Sequence, residues 1–325
     1  MKKKTLIFAM EGFEPLSKKL SQKLGINKGV YQLERFANNE AQIVIKDNVK
    51  DSECLVLGTN APPDQRIIEL MFLCHTLKEE GAKKISAILP YLAYTRQDKK
   101  ENKRGLAMDW FAKSFKDSGV SEVITLDIHS QFAKKLFKIP LISLSPAEIF
   151  ADEIKKISFN NATIIAPDRG AINRCQEVKK HLGIKEPISY FDKKRNGKII
   201  SAVFKGKAKN RVILIDDILD TGETLIVACK ELKKMGGPKG CPEIIIMVTH
   251  GLFTDDKWKQ LWNLGVKKIY TTDSLPLVAR NSREAGFPDP EARKMSSYGI
   301  SILTVASVIE KYLKIKNEKN LSASH

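Results

Sequence analysis

What the sequence lacks narrows the reading first. No apolar run approaches the roughly 18 residues of a membrane-spanning helix, so no membrane partner is expected. The opening "MKKKTLIFAM" begins like a leader peptide, but Glu11 and Glu14 soon interrupt its apolar part. It reads as an N-terminal strand with a basic flank. The five cysteines, Cys54, Cys74, Cys175, Cys229 and Cys241, form no CxxC pair and no metal-ligand spacing, which points to reduced thiols and a cytoplasmic location. There is no GxxxxGKS or GxxxxGKT, so a P-loop NTPase is not expected. No zinc-finger or RNA-recognition motif accompanies the net charge of +17. The lysines spread along helical faces such as "KKLSQKLG" and "LKEEGAKK", a pattern that attracts small phosphorylated anions; no nucleic-acid partner is expected.

What is present suits a globular protein of two ordinary domains: 325 residues, 42% apolar and 29% charged. Short apolar strands alternate with amphipathic helices along the whole chain. Lys84–Leu89 reads as a strand before the helix Met108–Ser118, and Arg211–Ile215 as a strand before the helix Thr221–Met235. Asp255–Leu264 is expected as one more helix. The alternation predicts an α/β fold with parallel sheets covered by helices. The two halves look alike, each with a strand ending in acids, near Leu126–His129 and near Ile215–Asp217. The expected domains are 1–143 and 144–299, with 300–318 completing the first. Ligands of such sheets gather at the carboxyl ends of the strands, where the polar clusters fall.

The most informative stretch is "ILIDDILDTGETL", Ile213 to Leu225. Strand exit, short loop and helix start make a cradle whose backbone N–H groups and helix dipole suit a phosphate. Thr221 and Thr224 offer hydroxyl groups, and Gly222 permits an unusual turn. Asp216 and Asp217 present acceptors to two neighbouring hydroxyls. A phosphate cradle beside a diol clamp describes a sugar phosphate; the plainer alternatives are an acid pair capping a strand or a metal-binding strand end.

These residues resemble the phosphoribosyl-pyrophosphate (PRPP) motif of type I phosphoribosyltransferases and PRPP synthetases, and the motif alone does not separate the two. Other stretches resemble PRPP synthetases (ribose-phosphate diphosphokinases) almost end to end. They are "RFANNE", "ILPYLAYTRQDKK", "TLDIHS", "APDRGAINR", "FDKKRNG" and "VTHGLF", in the family's order. The resemblance implies two similar type I phosphoribosyltransferase-like domains, each a mainly parallel sheet flanked by helices. It implies transfer of the β,γ-diphosphoryl group of MgATP to the C1 hydroxyl of ribose 5-phosphate. It places ATP between the domains, on Arg96, Gln97 and Asp98, with its adenosine on Phe36, Asn38 and Glu40 of a neighbouring subunit. Ribose 5-phosphate would sit on Asp216, Asp217 and the loop Asp220, Thr221, Gly222, Glu223, Thr224. His129 and Asp168 would serve Mg²⁺, and Lys193 and Arg195 would be catalytic. A homo-oligomer is implied, at least a dimer, with hexamers common in the family.

Taken without the resemblance, Phe36 reads as a core or interface residue, "TRQDKK" as a solvated loop and "FDKKRNG" as a basic hairpin turning at Asn196-Gly197. His250 reads as a packing residue. The sequence also departs from the family pattern. Glu223 stands where a small residue is usual and is expected to face away from the phosphate, and Ala171 replaces a glycine. "KRGLAMDW" and the tail "NEKNLSASH" lack the usual patterns bordering the regulatory site. A catalytically silent regulatory homologue and a phosphoribosyltransferase are the alternatives.

Overall fold

The computed structural model describes residues 4–97, 105–130, 132–157, 162–196, 199–235, 242–276 and 299–322. The chain forms two compact units, Met1–Leu144 with Val305–His325, and Ser145–Thr304.

In the first unit, β1 (Thr5–Ala9), α1 (Glu14–Leu24), β2 (Asn27–Lys28), β3 (Tyr31–Arg35), β4 (Ala41–Ile45) and β5 (Glu53–Leu57) come first. They are followed by α2 (Gln65–Glu79), β6 (Lys84–Ile88), α3 (Ala107–Asp117), β7 (Glu122–Leu126), α4 (Ala133–Leu136) and β8 (Leu141–Leu144). Six strands form one parallel sheet in the order β2-β1-β5-β6-β7-β8. Strands such as β7 are buried along their whole length, as expected where helices cover both faces of a sheet. β3 and β4 form a separate antiparallel hairpin that packs on α2.

The second unit contains α5 (Ala147–Lys156), β9 (Thr163–Ala166), α6 (Ile172–Leu182), β10 (Ser189–Asn196), β11 (Ile199–Lys205) and β12 (Arg211–Leu219). α7 (Glu223–Met235), β13 (Glu243–Gly251), α8 (Gln260–Asn263), β14 (Val266–Thr272) and β15 (Ile300–Leu303) complete it. The sheet order is β11-β10-β9-β12-β13-β14-β15, parallel except for the β10–β11 hairpin. Strand alternation splits its core into two layers. Val212 and Leu214 of β12 join Ile244 and Ile246 of β13 in one layer. Ile213 and Ile215 join Ile245 and Met247 in the other.

α9 (Ala306–Ser322) closes the chain against the first unit. The expected segment 300–318 is therefore divided, because β15 pairs with β14 in the second sheet. Glu122 at the start of β7 receives hydrogen bonds from Lys316 of α9 and from Ser86, and Lys84 lies 3.5 Å away. Two local expectations are corrected. β12 runs through Leu219, so the acid pair lies inside the strand and not beyond its end. The helix expected over Asp255–Leu264 is a 3-10 turn at Lys257–Lys259 followed by the four residues of α8. Among the described residues no helix is long and apolar enough to cross a membrane.

Candidate active site

In the second unit the polar groups meet at the carboxyl ends of β9, β12 and β13, where a parallel sheet leaves strand-to-helix loops open. Asp216 and Asp217 are buried near the end of β12. The Asp217 N–H donates to Asp216 Oδ1 at 3.0 Å. Burial, and then the charge of Asp217, push the Asp216 carboxyl well above the usual carboxylate range, and Arg174 opposes them. The guanidinium of Arg174, on α6, lies 3.7 Å from Asp216 and 3.6 Å from Asp217. A largely covered guanidinium thus faces two buried acids.

The loop after β12 supplies the cradle. Gly222 has φ +80°, which strains any side chain, and an added Cβ would crowd the Trp258 Cα at 3.1 Å. The Ile226 N–H donates to the Gly222 carbonyl at 2.8 Å and closes the first turn of α7. Asp220 accepts a hydrogen bond from Thr254, which follows β13. Glu223 is exposed in the first turn of α7, where the helix dipole favours an acid.

The hairpin brings the catalytic candidate to this edge. β10 pairs with β9 only at Ser189 and Tyr190, then continues with β11 past the end of β9. Lys193 Nζ donates to Asp168 Oδ2 at 2.9 Å and to Thr224 Oγ1 at 2.7 Å. Asp168 Oδ1 accepts from the Ala171 N–H at 3.2 Å, capping the turn into α6. Arg169 holds Asp192 through two 2.8 Å hydrogen bonds, fixing the hairpin base to the same turn. The backbone of Arg195 belongs to β10, but its side chain lies outside the described residues, as does all of Asp98.

The first unit has its own cluster at the carboxyl ends of its strands. Buried Asn60, beyond β5, accepts from the Ala93 N–H at 2.9 Å and pins the loop after β6. The Tyr94 hydroxyl donates to Asp64 at 2.8 Å, and the Gln97 N–H donates to the Tyr94 carbonyl at 2.9 Å. Arg96 and Gln97 are exposed on that turn. His129 is exposed just beyond β7, after a turn in which the Ile128 N–H donates to Ser143 Oγ at 3.0 Å. Phe36, Asn38 and Glu40 lie in the β3–β4 turn, where Phe36 is 56% exposed. The Glu40 N–H donates to Asn38 Oδ1 at 3.2 Å and the Phe36 N–H to the Glu40 carbonyl at 3.0 Å. His250 is buried in β13 with its Nδ1 2.9 Å from Ser274 Oγ.

Sequence reasoning assigned no role to Arg174, although it ends the quoted stretch "APDRGAINR". The buried residues Ala171, Cys175 and Val178 mark the inward face of that helix, and Arg174 flanks them. A charge flanking a buried helical stripe is the available signal. Thr254 carried none, since its partner Asp220 is 34 residues away.

Among the described residues no three His, Cys, Asp or Glu groups form a metal cage. That arrangement still fits Mg²⁺, which keeps several waters and binds through one or two carboxylates plus substrate phosphates. The Asp168 carboxylate, just beyond β9, is an oxygen donor of that kind.

A strand carrying paired acids near its end, a glycine-shaped loop and a helix N-terminus, set in a mainly parallel sheet, define a phosphoribosyltransferase-type protein. Two family models match. That of the N-terminal domain of ribose phosphate pyrophosphokinase covers residues 5–119, and that of the phosphoribosyl transferase domain covers residues 133–261. The ribose-phosphate pyrophosphokinase of Campylobacter jejuni is 30% identical over 276 residues, spanning 83% of this chain and 87% of the relative. That of Bacillus cereus is 27% identical over 322 residues, 97% of this chain and 95% of the relative. The crystal structure of phosphoribosylpyrophosphate synthetase from Mycobacterium smegmatis superposes with a TM-score of 0.79 at 24% identity, covering 98% of this chain and all of that one. The chain belongs to the ribose-phosphate pyrophosphokinase family.

Proposed function

We infer that the chain transfers the β,γ-diphosphoryl group of ATP to the C1 hydroxyl of ribose 5-phosphate, giving 5-phosphoribosyl 1-pyrophosphate and AMP for nucleotide biosynthesis. The observation that carries this reading is the cluster of acid pair, phosphate-type loop and hairpin lysine on one sheet edge, in a chain of this family.

Asp216 and Asp217 accept from the ribose hydroxyls, with Arg174 holding the pair in place. The loop Asp220–Thr224 takes the 5-phosphate at the N-terminus of α7. The C1 hydroxyl attacks the β-phosphorus in line and AMP leaves. Such transfers are catalysed by positioning and by charge stabilisation, so Lys193 and Arg195 on the hairpin neutralise charge that develops on the moving group. Lys193 leaves Asp168 and Thr224 to do so. Arg96, Gln97 and Asp98 bind the nucleotide phosphates. Phe36, Asn38 and Glu40 of another subunit hold the adenosine, which requires at least a dimer. The exposed apolar side chains of Val30, Leu33 and Phe36 on one hairpin support that use.

The family is generally Mg²⁺-dependent. In this chain His129 and Asp168 are the residues proposed to hold Mg²⁺, which supplies charge neutralisation of the ATP phosphates. The four described cysteines are unbridged, in keeping with a cytoplasmic enzyme.

One assay tests the reading: incubation with Mg²⁺, ATP and ribose 5-phosphate should yield AMP and 5-phosphoribosyl 1-pyrophosphate in equal amounts. Absence of AMP would identify a silent regulatory homologue. Consumption of added 5-phosphoribosyl 1-pyrophosphate with a base would identify a transferase.

A further inference from the structure

The second unit also contains a cavity of about 660 Å³ at the amino ends of two of its strands. Its walls come from the first residues of two parallel strands, Thr163 of β9 and Ser189 of β10, together with α6 and the end of the β10–β11 hairpin. The active-site residues sit at the carboxyl ends of strands, so this cavity is not part of that site. Its volume falls within the roughly 300–1,000 Å³ of small-molecule pockets.

Two kinds of surface face each other in it. Ile164, Ile184, Pro187 and Ile188 form an apolar wall. Lys179, Lys207 and Lys209 line the cavity against a single acid, Glu186. Lys179 is buried, and its ammonium donates to the backbone carbonyls of Glu186 at 2.6 Å and Pro187 at 3.2 Å. Those two bonds use two of its three protons and supply no formal counter-charge. Burial accordingly holds its pKa below the usual lysine value. An apolar wall together with three lysines and one acid selects a molecule with an apolar body and one anionic group.

The cavity wall is also the root of the catalytic hairpin. Ser189 Oγ donates to the Lys207 carbonyl at 2.9 Å and accepts from the Lys207 N–H at 3.2 Å. Gly206 between them has φ +124°, and an added Cβ would lie 2.9 Å from the Ser189 Cα, so the two arms of the hairpin meet here without a side chain between them. Lys193 lies four residues along β10 from this closure. We propose that this cavity is a binding site for a small anion with an apolar body, and that its occupant stiffens the root of the hairpin carrying Lys193.

Anilinonaphthalene sulfonate is a suitable probe, with uncharged phenylnaphthylamine as its neutral counterpart. The sulfonate should bind the full-length protein saturably, at one site per chain, and more tightly than the neutral compound. It should slow amide hydrogen exchange at 189–191 and 205–207. The exposed pair Lys207→Glu and Lys209→Glu should weaken sulfonate binding about tenfold and leave the neutral compound unaffected. Ile184→Trp, which fills the cavity from its apolar side, should abolish binding of both. Sulfonate binding unchanged in the charge-reversed and filled variants, or protection confined to other segments, would overturn the proposal. Because every readout is binding or exchange, the outcome does not depend on the catalytic assay.

Discussion

Replacing Arg174 by methionine keeps most of the side-chain volume and removes a cation that lies beside the buried acid pair. The guanidinium lies 3.7 Å from Asp216 and 3.6 Å from Asp217. At an effective dielectric constant of about 20, each contact is worth about 4–5 kcal/mol of Coulomb energy before desolvation. Removing one partner of such a buried cluster typically costs about 3–5 kcal/mol. Proton uptake limits that loss, because one acid can neutralise at about 1.4 kcal/mol per unit of pKa difference. Asp216 is already pushed upward by burial and by Asp217, and loss of Arg174 pushes it further. A carboxyl whose folded pKa lies above its unfolded one favours the folded state at low pH. That advantage is lost as pH rises through the folded value. The variant should therefore melt about 6–12 °C below wild type at pH 8, taking about 3 kcal/mol and a domain of this size. The gap should narrow at pH 5.5. Thermal melts of both proteins at both pH values provide the measurement, and ribose 5-phosphate affinity should fall in parallel. A gap below about 2 °C at pH 8, or one that widens in acid, would refute the assignment of Arg174 as the counter-ion of the pair.

Two further predictions address the hairpin and the terminal helix. Lys193→Ala and Arg195→Ala should each lower kcat by roughly 10²-fold while KM for ribose 5-phosphate changes little; near-normal turnover in both would remove the hairpin from catalysis. Glu122→Gln should weaken the docking of α9 by about 3 kcal/mol at neutral pH, because the Lys316 and Lys84 charges lose their carboxylate. Burial alone would raise the Glu122 carboxyl, but the hydrogen bonds from Lys316 and Ser86 and the nearby lysine charges hold it below its ordinary value. Its contribution is thus complete above the unfolded carboxylate range and disappears as pH falls through the folded value. Urea unfolding should show wild type and variant diverging at pH 7 and converging below about pH 4.

The architecture was legible where local pattern and tertiary demand agree. Apolar runs such as Val212–Ile215 and Ile244–Met247 can be satisfied only between two layers, and the structure buries them there. Paired acids followed by Thr-Gly marked the sheet edge for the same reason, since buried carboxylates and a left-handed glycine need a special setting. What escaped the sequence depends on long-range geometry. The extension of β12 to Leu219 follows from pairing with Gly251 on β13, which no local propensity encodes. Lys193 meets Asp168 and Thr224 across separations of 25 and 31 residues, so its ion pair could not be read from spacing. Asp168 was read as a metal ligand beside His129. In the structure its two oxygens accept from the Ala171 N–H and the Lys193 ammonium, contacts that no spacing in the sequence announces.

The resting position of Lys193 has a consequence for the loop it touches. Its ammonium donates to the Thr224 hydroxyl oxygen and to one oxygen of Asp168, so β10 is tied to the turns that follow β9 and β12. Thr224 only accepts in that contact and keeps its own proton to donate, so the ammonium and the hydroxyl can both serve one anion. The free chain therefore carries a positive charge already delivered to the loop before any ligand arrives.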